Sequence, residues 1–245
     1  MKQQFENYTE EDLKVWTILF ERQAENLKNK AGQDYLNALT KMESCLNANE
    51  MPNFEKINNW FSNQTGWEIE CVPGLIPVED FFMLLAAKKF PSSTWLRTMD
   101  KLDYLEEPDM FHDVFGHIPL LSLPVYSEFI HQFGILGKAM IHDHEKLIML
   151  QRLYWFTIEF GLILESNNQK IYGAGILSSY GESNNCLISN QIERIDFDIE
   201  RIINTPFCTS EMQNKYFIIA NFDELKKAIL KLTKQWMHYE LEDRK

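Results

Sequence analysis

One stretch of this chain, LYWFTIEFGLIL (153–164), constrains the fold most, because its twelve residues contain a single charge. That charge is Glu159, and a carboxylate in such a run is costly to bury unless something pairs with it. The stretch therefore predicts either a buried, paired Glu159 or a helix whose polar edge exposes Glu159 in part. Thr157 and Tyr154 make the run less apolar, so the run alone leaves both interpretations open.

The composition is that of a folded protein and excludes several functional classes. The chain has 245 residues, 45% of them hydrophobic, and a net charge of −12 from 36 acidic and 24 basic residues. Nucleic acids and anionic membranes attract clustered Lys and Arg, so this acidic balance argues against both as main partners. No internal repeat and no Pro/Gly/Ser-rich linker divides the sequence. We therefore expect a single domain with a sizeable core.

Cysteine usage and hydropathy predict a soluble, cytoplasmic protein. The four cysteines lie far apart in the sequence and form no CxxC pair, which argues against a disulfide framework or a zinc knuckle. They are Cys45, Cys71, Cys186 and Cys208. No apolar run approaches the roughly 18 residues that cross a bilayer. The first twenty residues mix acidic with apolar side chains, unlike a signal peptide.

The hydrophobic periodicity predicts a mainly α fold with a few short β-strands. Helices are expected from Thr9, over 34–46, 53–64 and 77–90, and over the most apolar segment, 143–165. Strands are expected at 67–71 and 171–177. Near the end of the chain, apolar residues at alternating spacings of four and three predict an amphipathic helix. They are Leu225, Ile229, Leu232, Trp236 and Tyr239.

Two histidines, His112 and His117, lie five residues apart in EEPDMFHDVFGHIP (106–119). On a regular helix this spacing turns the second side chain roughly 140° from the first. Both can face one ion only if the helix breaks between them, and Gly116 and Pro119 are suitable residues for such a break. The alternative is two unrelated histidines, since the pattern alone is weak.

Combined with Glu159, these histidines form a recognisable set of metal ligands. Two imidazoles and one carboxylate, without cysteine, suit a mononuclear non-haem Fe(II) with open coordination positions. Zinc competes, because catalytic zinc sites use the same set, although the H-E-x-x-H zinc-protease motif is absent. A second metal-like segment, His142-Asp143-His144-Glu145, is better interpreted as a helix start with Asp143 as N-cap.

Further candidates lie on either side of these ligands. The glycines of YGAGILSSYGE (172–182) predict close backbone approach, and Ser178 and Ser179 follow as hydroxyl donors. No phosphate-binding GxxxxGK motif is present. Arg97 has the fixed fork that binds a substrate carboxylate, and Asp109 is suited to hold it. The alternative for Arg97, favoured by sequence alone, is an ordinary surface arginine.

Three blocks together resemble a known family. LDYLEEPDMFHDVFGHIPLL (102–121), LYWFTIEFGL (153–162) and IYGAGILSS (171–179) are similar to the pterin-dependent aromatic amino acid hydroxylases. The first block most resembles the small bacterial phenylalanine 4-hydroxylases. The blocks occur in the family's order, and the similarity extends from about Pro73 to about Phe222. The first seventy residues are much less diagnostic.

The resemblance implies roles for individual residues. Iron would be ligated by His112, His117 and Glu159, with Tyr154 beside it and Asp113 in the position of a supporting acid, which is Glu in animal members. Contacts to the amino acid would come from Arg97, Asp109, Pro108, Trp155, Phe160, Ser178 and Ser179. Contacts to a tetrahydropterin would come from Phe81, by stacking, and from the backbone of Gly74, Leu75 and Ile76.

The resemblance thus implies a phenylalanine 4-monooxygenase that uses Fe(II), O2 and a tetrahydropterin. Leu105 and Glu106 depart from the animal pattern, which loosens the transfer of substrate preference. The alternatives are the same chemistry on tryptophan or tyrosine, a zinc hydrolase, or a non-catalytic helical interaction protein. We expect a monomer with one catalytic domain over 1–245. This domain comprises a helical part over 1–70, the core over 73–222 and a terminal helix over 222–245.

Overall fold

A computed structural model describes residues 1–103, 105 and 107–242, with the backbone alone for 238–242. Two residues singled out in the sequence therefore lie outside it: Glu106 and the side chain of Tyr239. The α-helices of the described part are α1 (Glu10–Leu27), α2 (Gln33–Lys41), α3 (Phe54–Ser62), α4 (Val78–Ala86), α5 (Pro124–Ala139), α6 (His144–Tyr154), α7 (Ala174–Leu177), α8 (Tyr180–Asn185), α9 (Ile199–Asn204) and α10 (Phe222–Glu242). The strands are β1 (Glu68–Cys71), β2 (Lys89–Ser92), β3 (Gly161–Glu165), β4 (Asn168–Ile171), β5 (Glu193–Asp196) and β6 (Lys215–Ile219).

This is the mainly α fold with short strands that the sequence predicts. Local capping explains where several helices begin. Thr9 and Asp12 form a reciprocal capping box at α1, Asn53 accepts from a backbone amide of α3, and Asp143 does the same at α6. Each side chain satisfies a backbone N–H that has no partner within its own helix. The helix starts at these residues are therefore confirmed.

The strands form two small sheets. The parallel pair β1–β2 is one, and the other has four strands in the order β4-β3-β6-β5. In the larger sheet β3 pairs with β4 antiparallel and with β6 parallel. Because β3 directly follows the segment that carries Glu159, the sheet fixes where that segment ends.

Three sequence predictions about strands and helices are wrong. The apolar segment 143–165 is not one helix, because its last five residues form β3. The helix over 77–90 ends at Ala86, and Lys89 begins β2. The strand expected over 171–177 does not form, since β4 ends at Ile171 and 174–177 is the helix α7. In the first two cases an apolar run fits either period, and strand pairing decides the outcome, because β3 pairs with β4 and β6 and β2 pairs with β1.

Aromatic side chains dominate the core around the ligand segments. Trp16, Tyr35, Phe111, Phe115 and Phe133 are at most 1% exposed. The N-terminal helices α1 and α2 supply the first two of these residues, so 1–70 is packed into the same core as the ligand segments. Among the described helices, none has both the length and the apolar content of a membrane-spanning segment.

Candidate metal centre and active site

Two imidazoles and a carboxylate meet at one point in the core. Ligand atoms of His112, His117 and Glu159 all lie within 4.8 Å of one another. The Nε2 atoms of the two histidines are 3.1 Å apart, and Glu159 Oε1 is 3.1 Å from His117 Nε2. Glu159 Oε2 is 3.6 Å from His112 Nε2. Within the described residues this is the one cluster of three or more His, Cys, Asp or Glu side chains with such spacing.

The two histidines reach this point without a break in the helix, contrary to the sequence-based argument. His112–His117 is a π-helical turn that continues the helical backbone begun at Met110. Its i→i+5 hydrogen bonds widen the turn and bring residues five apart towards the same face. Gly116 therefore acts by its small size, because a Cβ there would lie 2.9 Å from the Ala174 carbonyl oxygen.

Glu159 ends a second π-helical turn, Trp155–Glu159, which links α6 to β3. It is 7% exposed, so the buried, paired interpretation is correct and the exposed one is not. Burial alone would raise the pKa of the Glu159 carboxyl, but the His117 and His112 imidazoles outweigh it and hold the pKa well below its usual range. Gly173 lies against the same backbone, since a Cβ there would be 2.4 Å from the Glu159 carbonyl oxygen.

The two histidines titrate differently. Burial acts to lower the pKa of His112, but the Glu159 carboxylate outweighs it, so the pKa is raised. For His117 burial prevails and the pKa is lowered. The neighbouring Asp113 accepts a 2.8 Å hydrogen bond from Ser93 N, and burial raises its pKa to about 7. A buried carboxylate flanked by imidazoles is a set of donors that a divalent cation satisfies, and it suits iron as well as zinc.

Ser178 sets the orientation of His112. Its Oγ lies 2.9 Å from His112 Nδ1 and donates to the Ala174 carbonyl oxygen at 2.8 Å. With its proton engaged there, Ser178 Oγ accepts from Nδ1–H, which leaves His112 Nε2 free as a ligand. Ser179 is placed otherwise: its hydroxyl accepts from Glu182 N as the N-cap of α8.

A cavity of about 420 Å³ opens onto the cluster. Its walls include the three ligands, Asp113, Tyr154 and the segment 74–76, to which the family resemblance assigns contacts to the pterin. Its lining residues are Val72, Gly74, Leu75, Ile76, Val78, Phe81, Phe82, Phe90, Pro91, Ser93, Pro108, His112, Asp113, His117, Phe133, Gln151, Tyr154 and Glu159. Phe81 meets Tyr154 edge-on with ring centroids 5.2 Å apart. The Tyr154 ring stacks over His117 at 6.3 Å.

Arg97 is buried, so the surface arginine favoured by sequence alone is not what the structure has. It is 8% exposed and Asp109 is 0% exposed. Arg97 donates from Nε to Asp109 Oδ2 at 2.8 Å and from Nη2 to Oδ1 at 2.9 Å. Asp109 also accepts from the backbone amides of Arg97 and His112. One carboxylate thus fixes both the guanidinium and the start of the histidine turn.

Three aromatic residues beyond the cavity pack together. Trp155 stacks on Phe207 and meets Phe160 at a tilt, with ring centroids 4.5 Å apart in both pairs. The indole Nε1 donates to Gln213 Oε1 at 2.9 Å. Sequence reasoning found the first two residues but missed Phe207 and Gln213, which lie in a segment without any motif. Among cavity residues it also missed Val72, Ser93, Phe133 and Gln151, which no spacing pattern connects to the ligands.

Comparison with known proteins extends the similarity to almost the whole chain. The family model for biopterin-dependent aromatic amino acid hydroxylases matches residues 4–241. Phenylalanine-4-hydroxylase of Chromobacterium violaceum is 42% identical over 231 residues, which are 93% of this chain and 76% of that protein. The enzyme of the same name from Ralstonia nicotianae is 42% identical over 93% of this chain and 72% of its own length.

The fold agrees as well. A crystal structure of the Chromobacterium violaceum phenylalanine hydroxylase, with bound iron(III) and the oxidised cofactor 7,8-dihydrobiopterin, superimposes with a TM-score of 0.91. It is 41% identical, and the match covers 97% of this chain and 86% of that one. The family model also covers residues 4–70, which the sequence blocks did not reach. On these grounds the chain belongs to the biopterin-dependent aromatic amino acid hydroxylase family.

Proposed function

We propose that this protein is a phenylalanine 4-monooxygenase, which converts L-phenylalanine to L-tyrosine with O2 and a tetrahydropterin at a mononuclear non-haem iron. The observation that carries the proposal is the His112, His117 and Glu159 cluster at the end of a cavity lined by 74–76 and Phe81. Relatives covering most of this chain are named phenylalanine-4-hydroxylase. Both the ligand set and that cavity suit the proposed cofactors.

The three protein ligands would hold iron from one side and leave its remaining positions to small molecules. Bound iron and tetrahydropterin together supply the activation of O2, which the side chains of this chain cannot perform themselves. The protein's own part is to orient the ligands. Ser178 accepts from Nδ1–H and thereby selects the tautomer of the neutral His112 ring whose Nε2 is the ligand atom, and the burial of Glu159 limits its contact with bulk water.

Arg97 would bind the carboxylate of the amino acid. Its Nε and one Nη2 proton engage Asp109, and Nη1 lies 3.5 Å from the Leu102 carbonyl oxygen. A guanidinium has five N–H donors, so one proton on each Nη remains for a second carboxylate. Asp109 fixes the plane of the guanidinium and therefore the direction in which those two protons point.

The pterin ring would lie in the cavity against Phe81, with the backbone of 74–76 beside it. Gly74 has φ of +154°, a conformation that L-residues with a side chain rarely adopt. The glycine thereby lets the backbone of this segment turn along the cavity wall, where Leu75 and Ile76 also line it. An amide-rich backbone edge suits the polar edge of a pterin, and an aromatic ring suits its face.

The ring of the substrate would be received by Pro108, Trp155 and Phe160. Pro108 lines the cavity, while the Trp155 indole is fixed by its bond to Gln213 and by contact with Phe160. Rigid apolar surfaces favour phenylalanine over tyrosine, because the tyrosine hydroxyl would lose its hydrogen bonds to water. Ser179, as an N-cap, would act on the backbone of α8 rather than on the substrate.

We further propose that the chain acts as one catalytic domain and as a monomer, with small molecules as its partners. The net charge of −12 does not favour nucleic acids. Its four thiols are free, which suits a reducing compartment, and we propose the cytoplasm as its location.

The function is tested by aerobic incubation with Fe(II) and tetrahydropterin, offering phenylalanine, tyrosine and tryptophan side by side. We expect tyrosine from phenylalanine, with one oxygen atom from 18O2 detected by mass spectrometry. Protein loaded with zinc should be inactive. Turnover without O2, or with zinc alone, would contradict the proposal, and faster turnover of tryptophan would reassign the substrate.

The ligands are tested separately, by metal content. Glu159→Ala and His112→Ala should each bind much less iron than the wild type, because two ligands remain instead of three. Asp143→Ala is the matched control, since that acid caps α6 and is not part of the cluster. Stoichiometric iron in both ligand variants would refute the assignment.

A further inference from the structure

The two histidines of the cluster are oriented by different means. His112 has a polar partner on each ring nitrogen, with Ser178 Oγ at Nδ1. For His117 the described residues offer polar contacts at Nε2 alone, the atom that faces Glu159. Its ring otherwise contacts Phe90, with centroids 4.6 Å apart, and Tyr154, at 6.3 Å. Without a bond at Nδ1, the direction of His117 depends on these ring contacts and on the backbone turn that carries it.

Tyr35, from α2, supports that turn from outside. Its hydroxyl donates a 2.8 Å hydrogen bond to the carbonyl oxygen of Phe115, two residues before His117. The two rings also meet edge-on, with centroids 6.1 Å apart. Tyr35 is 1% exposed and Phe115 0% exposed, so water cannot replace the bond. Burial also raises the pKa of Tyr35 well above its usual range, which keeps the hydroxyl protonated.

The helix α7 also packs closely against the turn. A Cβ on Gly116 would lie 2.9 Å from the Ala174 carbonyl oxygen and 3.1 Å from the Ala174 Cβ. The backbone of 115–116 therefore has two neighbours, Ala174 and Tyr35. Close packing prevents movement towards α7, and the hydrogen bond resists movement of the Phe115 carbonyl away from α2.

We propose that Tyr35 is a positioning residue of the metal centre, holding the turn that joins the two histidine ligands through the Phe115 carbonyl. The inference rests on the proposed iron site. It gives a role to the N-terminal part, 1–70, whose sequence indicates none. The helix α1 adds to the same support, because the Phe20 ring packs edge-on against Phe115 at 5.1 Å.

The test is the Tyr35→Phe variant, which removes the hydroxyl and keeps the ring. Co(II) binding to metal-free protein is measured by calorimetry, together with the visible spectrum of the bound Co(II) and the thermal unfolding midpoint before loading. We expect about tenfold weaker binding, the lower end of what supporting residues of metal ligands usually contribute. We also expect an altered Co(II) spectrum, because His117 is displaced. The Michaelis constant for phenylalanine should stay within about twofold, since Arg97 is untouched.

The control is Tyr216→Phe, which deletes a buried hydroxyl from β6 that has no hydrogen-bond partner among the described residues. It should bind Co(II) like the wild type, even where its unfolding midpoint falls. A merely structural Tyr35 would likewise lower the midpoint without changing Co(II) affinity. Replacing Tyr35 with 4-aminophenylalanine restores an N–H donor at the same place and should recover most of the affinity.

The outcomes separate this inference from the proposed function. Wild-type Co(II) affinity and spectrum in Tyr35→Phe, or no recovery with the amino analogue, would overturn the role of Tyr35. If the wild type in the same series turns over phenylalanine with Fe(II), the proposed function stands regardless. If the wild type binds Co(II) but does not hydroxylate any aromatic amino acid with Fe(II), the function fails, and the Co(II) comparison still decides the role of Tyr35. A wild type that binds neither metal overturns both.

Discussion

Replacing Asp109 with alanine should be among the most destabilising single changes in this chain. The carboxylate is fully buried and accepts four hydrogen bonds, from Arg97 N, Nε and Nη2 and from His112 N. Its removal leaves the Arg97 guanidinium buried without a counter-charge, which typically costs about 3–5 kcal/mol. Asp109→Asn keeps the shape and loses the charge, so we expect a smaller cost of about 1.5–3 kcal/mol.

A double-mutant cycle identifies the pairing as the cause. Asp109→Leu and Arg97→Met should each be costly, but the combination replaces the pair with apolar groups and should recover about 2 kcal/mol or more of the summed loss. The free energy of unfolding is measured with urea on metal-free protein at pH 7, by linear extrapolation. Single costs that add within about 0.5 kcal/mol in the double variant would refute the reasoning.

Three further predictions concern pterin binding, the histidine turn and helix capping. Phe81→Ala removes a stacking surface and should raise the Michaelis constant for tetrahydropterin about fivefold or more. Steady-state kinetics should show little change in the Michaelis constant for phenylalanine, and equal effects on both constants would count against stacking. Gly116→Ala places a Cβ 2.9 Å from the Ala174 carbonyl oxygen, so calorimetry should show weaker Co(II) binding, and unchanged affinity would contradict the close contact. Asp143→Ala should cost about 1 kcal/mol at pH 7 as the loss of an N-cap. The backbone N–H of Lys146 is the main cause that lowers the pKa of Asp143 from 3.8 in the folded protein. The stabilisation by the Asp143 cap is therefore fully present above pH 3.8 and is lost as the pH falls through the lowered pKa. Urea unfolding at pH 7, 5 and 3 measures this, and a difference that is constant with pH would exclude the cap as its source.

The features that sequence predicted well are those decided by neighbouring residues. Thr9, Asn53 and Asp143 each cap the helix that begins at the next position, so a local pattern is sufficient. The ligand types were also predictable, since an isolated carboxylate in an apolar run must find partners. Glu159 was connected to the two histidines because a carboxylate and two imidazoles make a metal-ligand set, and hydrophobic periodicity did not contribute.

The features that sequence missed depend on distant contacts. The strand β3 pairs with β6 from more than fifty residues away as well as with its neighbour β4, and without the distant partner in view the apolar run fits a helix equally well. The widened turn between His112 and His117 has no local signal, and the break expected at Gly116 was wrong. The burial of Arg97 follows from a carboxylate twelve residues later, which composition around Arg97 does not reveal.

In both segments that carry ligands the backbone hydrogen bonds span one residue more than in an α-helix, and this makes the site sensitive to chain length. Deleting one residue between His112 and His117 would restore regular α-helical winding, which places positions four apart about 40° from each other on the helix. The shortened segment would move Gly116 away from its place against Ala174 and the Phe115 carbonyl away from Tyr35. A single-codon insertion or deletion inside either turn would therefore disturb several supports of the ligands at once, whereas a substitution changes one contact at a time.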